Sequence, residues 1–120
     1  MMVGYPTIVT IYYADGVATD VRAFTTATPG LVIHESLGDP GWCVSHERSG
    51  LFVCMFDDPE QAQGFAAALS GAVDWTQSGQ EIQSSREAIE RVRSASLRFN
   101  YTRSTPKLQN RQVRTERMTA

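Results

Sequence analysis

Two histidines and two cysteines are the residues best suited to chemistry, and all four sit in strand-like runs. His34 precedes Glu35, His46 precedes Glu47, and Cys43 and Cys54 flank the second pair. Two imidazoles with a carboxylate or the Cys54 thiolate would begin a metal site. That requires the turn Gly38-Asp39-Pro40-Gly41 to set His34 across from His46 on neighbouring strands. The spacing follows no standard ligand motif, and each glutamate of an extended His-Glu pair points away from its histidine. No metal is therefore expected. Cys43 and His46 occupy an odd and an even position of one strand and face opposite ways. Cys54 with His46 stays open as a thiol–imidazole pair.

Asp57 and Asp58 are adjacent carboxylates, but Pro59 follows, and the group reads as a helix cap. The chain contains no GxxxxGK[ST], no GxGxxG opening a helix, no HExxH and no GxSxG. Nothing joins a nucleophile to a base and an oxyanion donor. The expectation is a non-enzymatic chain with no catalytic residue, no metal and no cofactor. The two cysteines read as reduced, buried thiols, not a disulfide framework.

The charge is more informative than its total. The 120 residues sum to −2. Residues 1–80 carry two basic groups, Arg22 and Arg48, against nine acidic ones, a net of −7. Residues 81–120 carry nine basic groups against four acidic ones, a net of +5. The basic set is Arg86, Arg91, Arg93, Arg98, Arg103, Lys107, Arg111, Arg114 and Arg117. Arginine dominates it, and guanidinium groups favour bidentate contacts to phosphate or carboxylate. Phe99 and Tyr101 at the root of this segment offer rings on which a base could stack. Two other readings compete: a tail folded back on the acidic body, or a solvated charge run.

The elements that must position these residues follow from turn chemistry and periodicity. TIVTIYY, residues 7–13, is β-branched and aromatic, and Asp15-Gly16 then predicts a hairpin into 17–26. Thr28-Pro29-Gly30 punctuates before a third strand at 31–36, and the Gly38–Gly41 cluster precedes a fourth at 42–47. Arg48-Ser49-Gly50 leads to a fifth at 51–56. Short turns predict antiparallel neighbours, hence a meander. LFVCMF, residues 51–56, has no polar position and needs cover on both faces. Helices on opposite faces, local curvature, or a partner would each supply it.

Asp58, Pro59 and Glu60 open a first helix with an apolar stripe of Ala62, Phe65, Ala66, Leu69 and Val73. Residues 81–99 predict a second, with a thin stripe of Ile82, Ile89, Val92 and Phe99. Beyond Asn100 the chain is polar and basic and reads as a flexible tail. The fold expected is α+β: a five-stranded antiparallel meander, two helices and a basic tail. Its parts are an acidic body at 1–79, an amphipathic helix at 80–99 and the tail at 100–120. No run of 18 apolar residues spans a membrane, and Met1–Thr10 lacks the pattern of a secretory signal, so a cytoplasmic location is expected.

The stretch from Trp42 through WCVSHERSG, LFVCMFDDPE and QAQGFAAAL, followed by Asp74-Trp75-Thr76, resembles small uncharacterised accessory proteins of actinobacteria and their phages. The likeness covers residues 31–76 and rests on a hairpin, a core strand and an alanine-rich helix. It implies a bacterial or phage accessory protein and brings no catalytic residue. Two functions are expected in order: protein–protein interaction, with a host protein or as a homodimer, and nucleic-acid binding through the C-terminal basic segment.

Overall fold

The computed structural model describes residues 4–12, 17–36, 40–71 and 73–99, and the backbone alone of 101–109. Five strands follow one another as the turns predict: β1 (Pro6–Tyr12), β2 (Ala18–Thr25), β3 (Leu31–Glu35), β4 (Trp42–His46) and β5 (Phe52–Phe56). Each pairs antiparallel with the next. The Asp15-Gly16 turn and residues 37–39 lie outside the described residues.

Helices follow, so the α+β meander stands, with two differences in detail. The helix expected over 81–99 is two: α2 (Gly79–Ser84) and α3 (Arg86–Ser96). Ser85 breaks it. Its backbone is extended, and its hydroxyl accepts the Ala88 N–H at 3.1 Å, capping α3. A side chain that can satisfy a free helical N–H makes a new start cheap there. The second difference lies in the expected flexible tail: Tyr101–Gln109 forms a sixth strand, β6, beside β5. The sheet order is β1-β2-β3-β4-β5-β6.

One face of the sheet carries the helices. Leu31, Ile33, Val44, Cys54 and Phe56 pack there against Phe65, Leu69, Trp75, Ile82 and Val92. The preceding helix, α1 (Pro59–Ala68), is anchored as expected, with Asp58 accepting the Gln61 N–H at 2.8 Å. Its stripe residues Ala62, Phe65, Ala66 and Leu69 are all buried. Rings of Phe56 and Phe65 lie 5.1 Å apart. Trp75 fills the end of this layer and donates its indole N–H to the Leu69 carbonyl at 3.0 Å.

The opposite face holds Val9, Ile11, Val21, Ala23 and Val32, with Cys43, Phe52 and Met55 beyond, all buried. Curvature contributes to this burial. In a flat sheet β1 and β4 would lie about 14 Å apart, at roughly 4.8 Å per strand. Here the β4–β5 turn reaches β1: Gly50 sits so close to the Thr10 carbonyl that a Cβ would collide with it. Thr7 donates from Oγ1 toward Glu47 Oε2 at 3.5 Å. Gly50 also has φ of +76°, which suits glycine. The register shifts between Val44 and Ser45, which doubles residues on β5 and bends it. Leu51–Phe56 is buried throughout: Leu51, Val53, Cys54 and Phe56 belong to the helix-side core, and Phe52 and Met55 cluster with Cys43 on the other face.

Candidate functional site

The two histidines do not converge. His34 is register partner of Cys43, and His46 of Leu31, which puts the imidazoles on opposite faces of the sheet. Cys54 pairs with Val44 on the helix-covered side, while Cys43 belongs to the cluster on the other. Among the described residues no three His, Cys, Asp or Glu side chains come within reach of one ion.

Each histidine is instead bound into the same kind of three-part link, which sequence reading missed. His46 Nε2 lies 2.8 Å from the Trp75 carbonyl. A carbonyl only accepts, so Nε2 carries the proton and donates. Nδ1 then accepts the Ser49 hydroxyl at 2.6 Å. His34 repeats the pattern: Nδ1 donates to the Glu35 carbonyl at 2.9 Å, and Nε2 accepts from Ser45 Oγ at 2.9 Å. Burial lowers the pKa of both, against weaker opposing hydrogen bonds. Serine beside histidine has the outline of a nucleophile and base. Ser45, however, is wholly buried. The Ser49 oxygen also accepts the Leu51 N–H at 3.1 Å, and the adjacent Gly50 N–H is spent on the His46 carbonyl at 2.7 Å. These groups tie the β4–β5 turn to the Trp75 segment. The only local signal was the serine three positions after His46; Ser45, the partner of His34, reaches it across the β3–β4 pairing.

The basic residues divide by position. Arg86, Arg91 and Arg93 stand exposed on α3, and Arg98 just beyond it. Arg93 reaches Glu90 at 3.9 Å. Arg103 and Lys107 fall on β6, with Arg103 at the register of Met55. Arg111, Arg114 and Arg117 lie outside the described residues. Tyr101 pairs in register with Phe56. Phe99 is half-buried and meets Phe56 and Phe65 edge-on at centroid distances of 6.4 and 6.0 Å. Its ring is thereby engaged with the core.

A groove of about 420 Å³ is lined by Thr25, Thr26, Thr28, Gly30, Glu47 and Thr76, among others. Its hydroxyls serve the fold. Thr25 Oγ1 accepts the Tyr5 N–H, Thr26 donates to Leu31, and Thr28 donates to Ala66.

The surface that stands out is the outer face of the first hairpin. The helical layer lies over β3, β4, β5 and β6. It meets β2 near Thr25, whose carbonyl accepts from Gln63 at 3.1 Å, and at Phe24. Beyond that, Pro6, Ile8, Thr10 and Tyr12 of β1 share a face with Phe24, Arg22, Asp20 and Ala18 of β2. Ile8 is 58% exposed and Tyr12 44%; Tyr5 and Val17, at the two ends of the hairpin, are 80% and 46% exposed. These are four of the five exposed large apolar residues among those described; the fifth is Leu97. A groove of about 380 Å³ runs along Pro6, Ile8, Arg22 and Phe24. No protein-family model, curated protein or solved structure matches the chain.

Proposed function

We propose that this protein acts without catalysis, as an accessory protein of bacterial or phage type, by docking a protein partner on the outer face of its first hairpin. The observation that carries this reading is the pair of exposed residues Ile8 and Tyr12 on the outer side of a hairpin that the helices leave open, with exposed Tyr5 and Val17 at its two ends. Isolated surface apolar residues need no explanation, but Ile8 borders an open groove with Pro6 and Phe24, and grooves of that kind mark interaction sites. Tyrosine is enriched at such sites because it offers a broad apolar ring with a polar tip. The cytoplasm is the compartment that two buried thiols in this chain suit.

The test is photo-crosslinking from position 8, with position 97 as control, in extracts of a cell that makes the protein. Ile8 lies within the cluster and Leu97 outside it, and both are exposed. A discrete crosslinked protein is expected from position 8 and not from position 97. Equal or absent crosslinking at both would overturn the reading.

A second reading is nucleic-acid binding through the arginines. The exposed Arg86, Arg91, Arg93 and Arg98 favour it. Titration with duplex and single-stranded oligonucleotides at two salt concentrations tests it, since phosphate contacts weaken steeply with salt. Binding that persists after truncation at Asn100 would assign the contact to α3 and not to residues 101–120. No binding at low salt would remove it.

A further inference from the structure

We infer that the occupant of the first hairpin's outer face is a second copy of this chain, related by a two-fold axis. This rests on the docking reading above and adds the identity of the partner. The outer face carries one acid and one base on β2. Asp20 and Arg22 are two positions apart on β2, so both project from the same outer face, and both are exposed. Among the described residues the one ion pair is Glu90–Arg93, so none of their carboxylates pairs with Arg22. Asp20 accepts from Thr10 Oγ1 at 2.6 Å, which leaves its other oxygen free for a cation.

A two-fold contact brings a patch against itself. An axis crossing β2 between Asp20 and Arg22, with the outer faces opposed, sets each Arg22 against the other copy's Asp20. The patch is thus self-complementary in charge: one acid and one base, adjacent, flanking an apolar row. Facing sheets pack about 10 Å apart, within reach of an arginine and an aspartate extended toward each other.

The same face carries apolar surface: Ile8 and Tyr12 are exposed on it, and Pro6, Ile8, Arg22 and Phe24 line a groove of about 380 Å³. Face-to-face docking also avoids the β1 edge, where Gly50 already abuts the Thr10 carbonyl.

Sedimentation equilibrium on the full chain is the test. The chain is expected to reach dimer mass as concentration rises. Asp20→Arg and Arg22→Asp each set like charges face to face, and each alone is expected to weaken the dimer by roughly tenfold or more. An equimolar mixture of the two variants pairs opposite charges again, and the mixture is expected to recover the dimer. The double variant D20R/R22D recovers it as a homodimer. Recovery also shows that both variants fold. A wild-type chain that stays monomeric, single variants that dimerise normally, or a mixture that stays monomeric would each overturn the inference. Crosslinking from position 8 to a protein of different mass would overturn self-pairing while leaving the docking reading intact.

Discussion

The sheet has two halves that differ in what covers them. From β3 to β5 the strands are roofed by α1 and its neighbours, and Phe56, Phe65 and Trp75 are fully enclosed. The first hairpin shares the same buried inner face but carries no helical roof over Ile8 and Tyr12. The roofed half uses its apolar residues for stability. The open half keeps Ile8 and Tyr12 exposed, outside the core, and the proposed docking rests on them.

Substitutions on the two halves sharpen this contrast, and Phe65→Ala is expected to be the most damaging. It removes a buried ring that meets both Phe56 and Phe99, at about 3–5 kcal/mol of stability. The check is the chemical-denaturation midpoint. Gly50→Ala comes next. It forces a side chain into a left-handed backbone and against the Thr10 carbonyl, and a loss of at least ~1–3 kcal/mol is expected. A neutral result would mean that the curl of β1 onto the β4–β5 turn is not tight.

His46→Ala leaves the Ser49 hydroxyl and the Trp75 carbonyl without their partner and is expected to cost about 1–3 kcal/mol. The histidines also set a pH dependence. Burial holds both below their ordinary value near 6.5, so the unfolded chain takes up protons in a range where the folded one does not. Stability is then flat above about pH 6.5 and declines as pH falls below it. Denaturation midpoints at about pH 7.5 and about pH 5.5 measure the decline, and His46→Ala should reduce it. A stability that rises on acidification through this range would contradict the assignment. Ile8→Ala closes the series: as an exposed change it should shift monomer stability by less than ~0.5 kcal/mol, while weakening association.

Much of the roofed half was legible in the sequence. Asp58-Pro59-Glu60 and the stripe from Ala62 to Leu69 specify α1, and the turn residues specify the meander. The break at Ser85 was harder, because the apolar spacing of Ile82, Ile89 and Val92 continues through it and masks the cap. β6 was not legible, since YTRSTPKLQ is polar and contains Pro106. Edge strands tolerate both, as one side of the ladder needs no partner. The histidine register depended on how many residues the 36–41 turn consumes, and a single-residue slip reverses a strand's faces.

The candidate surface was only half visible. The unbroken apolar run of Leu51–Phe56 suggested an outside partner, yet it is buried within the chain. The residues left open, Ile8 and Tyr12, alternate with buried Val9 and Ile11 as in any amphipathic strand. Only the placement of the helices shows that their side stays bare.

The central claim is that this bare face becomes covered when the protein works. Thiol labelling of Ile8→Cys tests it most directly, with Leu97→Cys as the reference, since native Cys43 and Cys54 are buried and react slowly. The account predicts that labelling at position 8 slows as protein concentration rises, or in cell extract, while labelling at position 97 does not. Equal rates at both positions under every condition would contradict it.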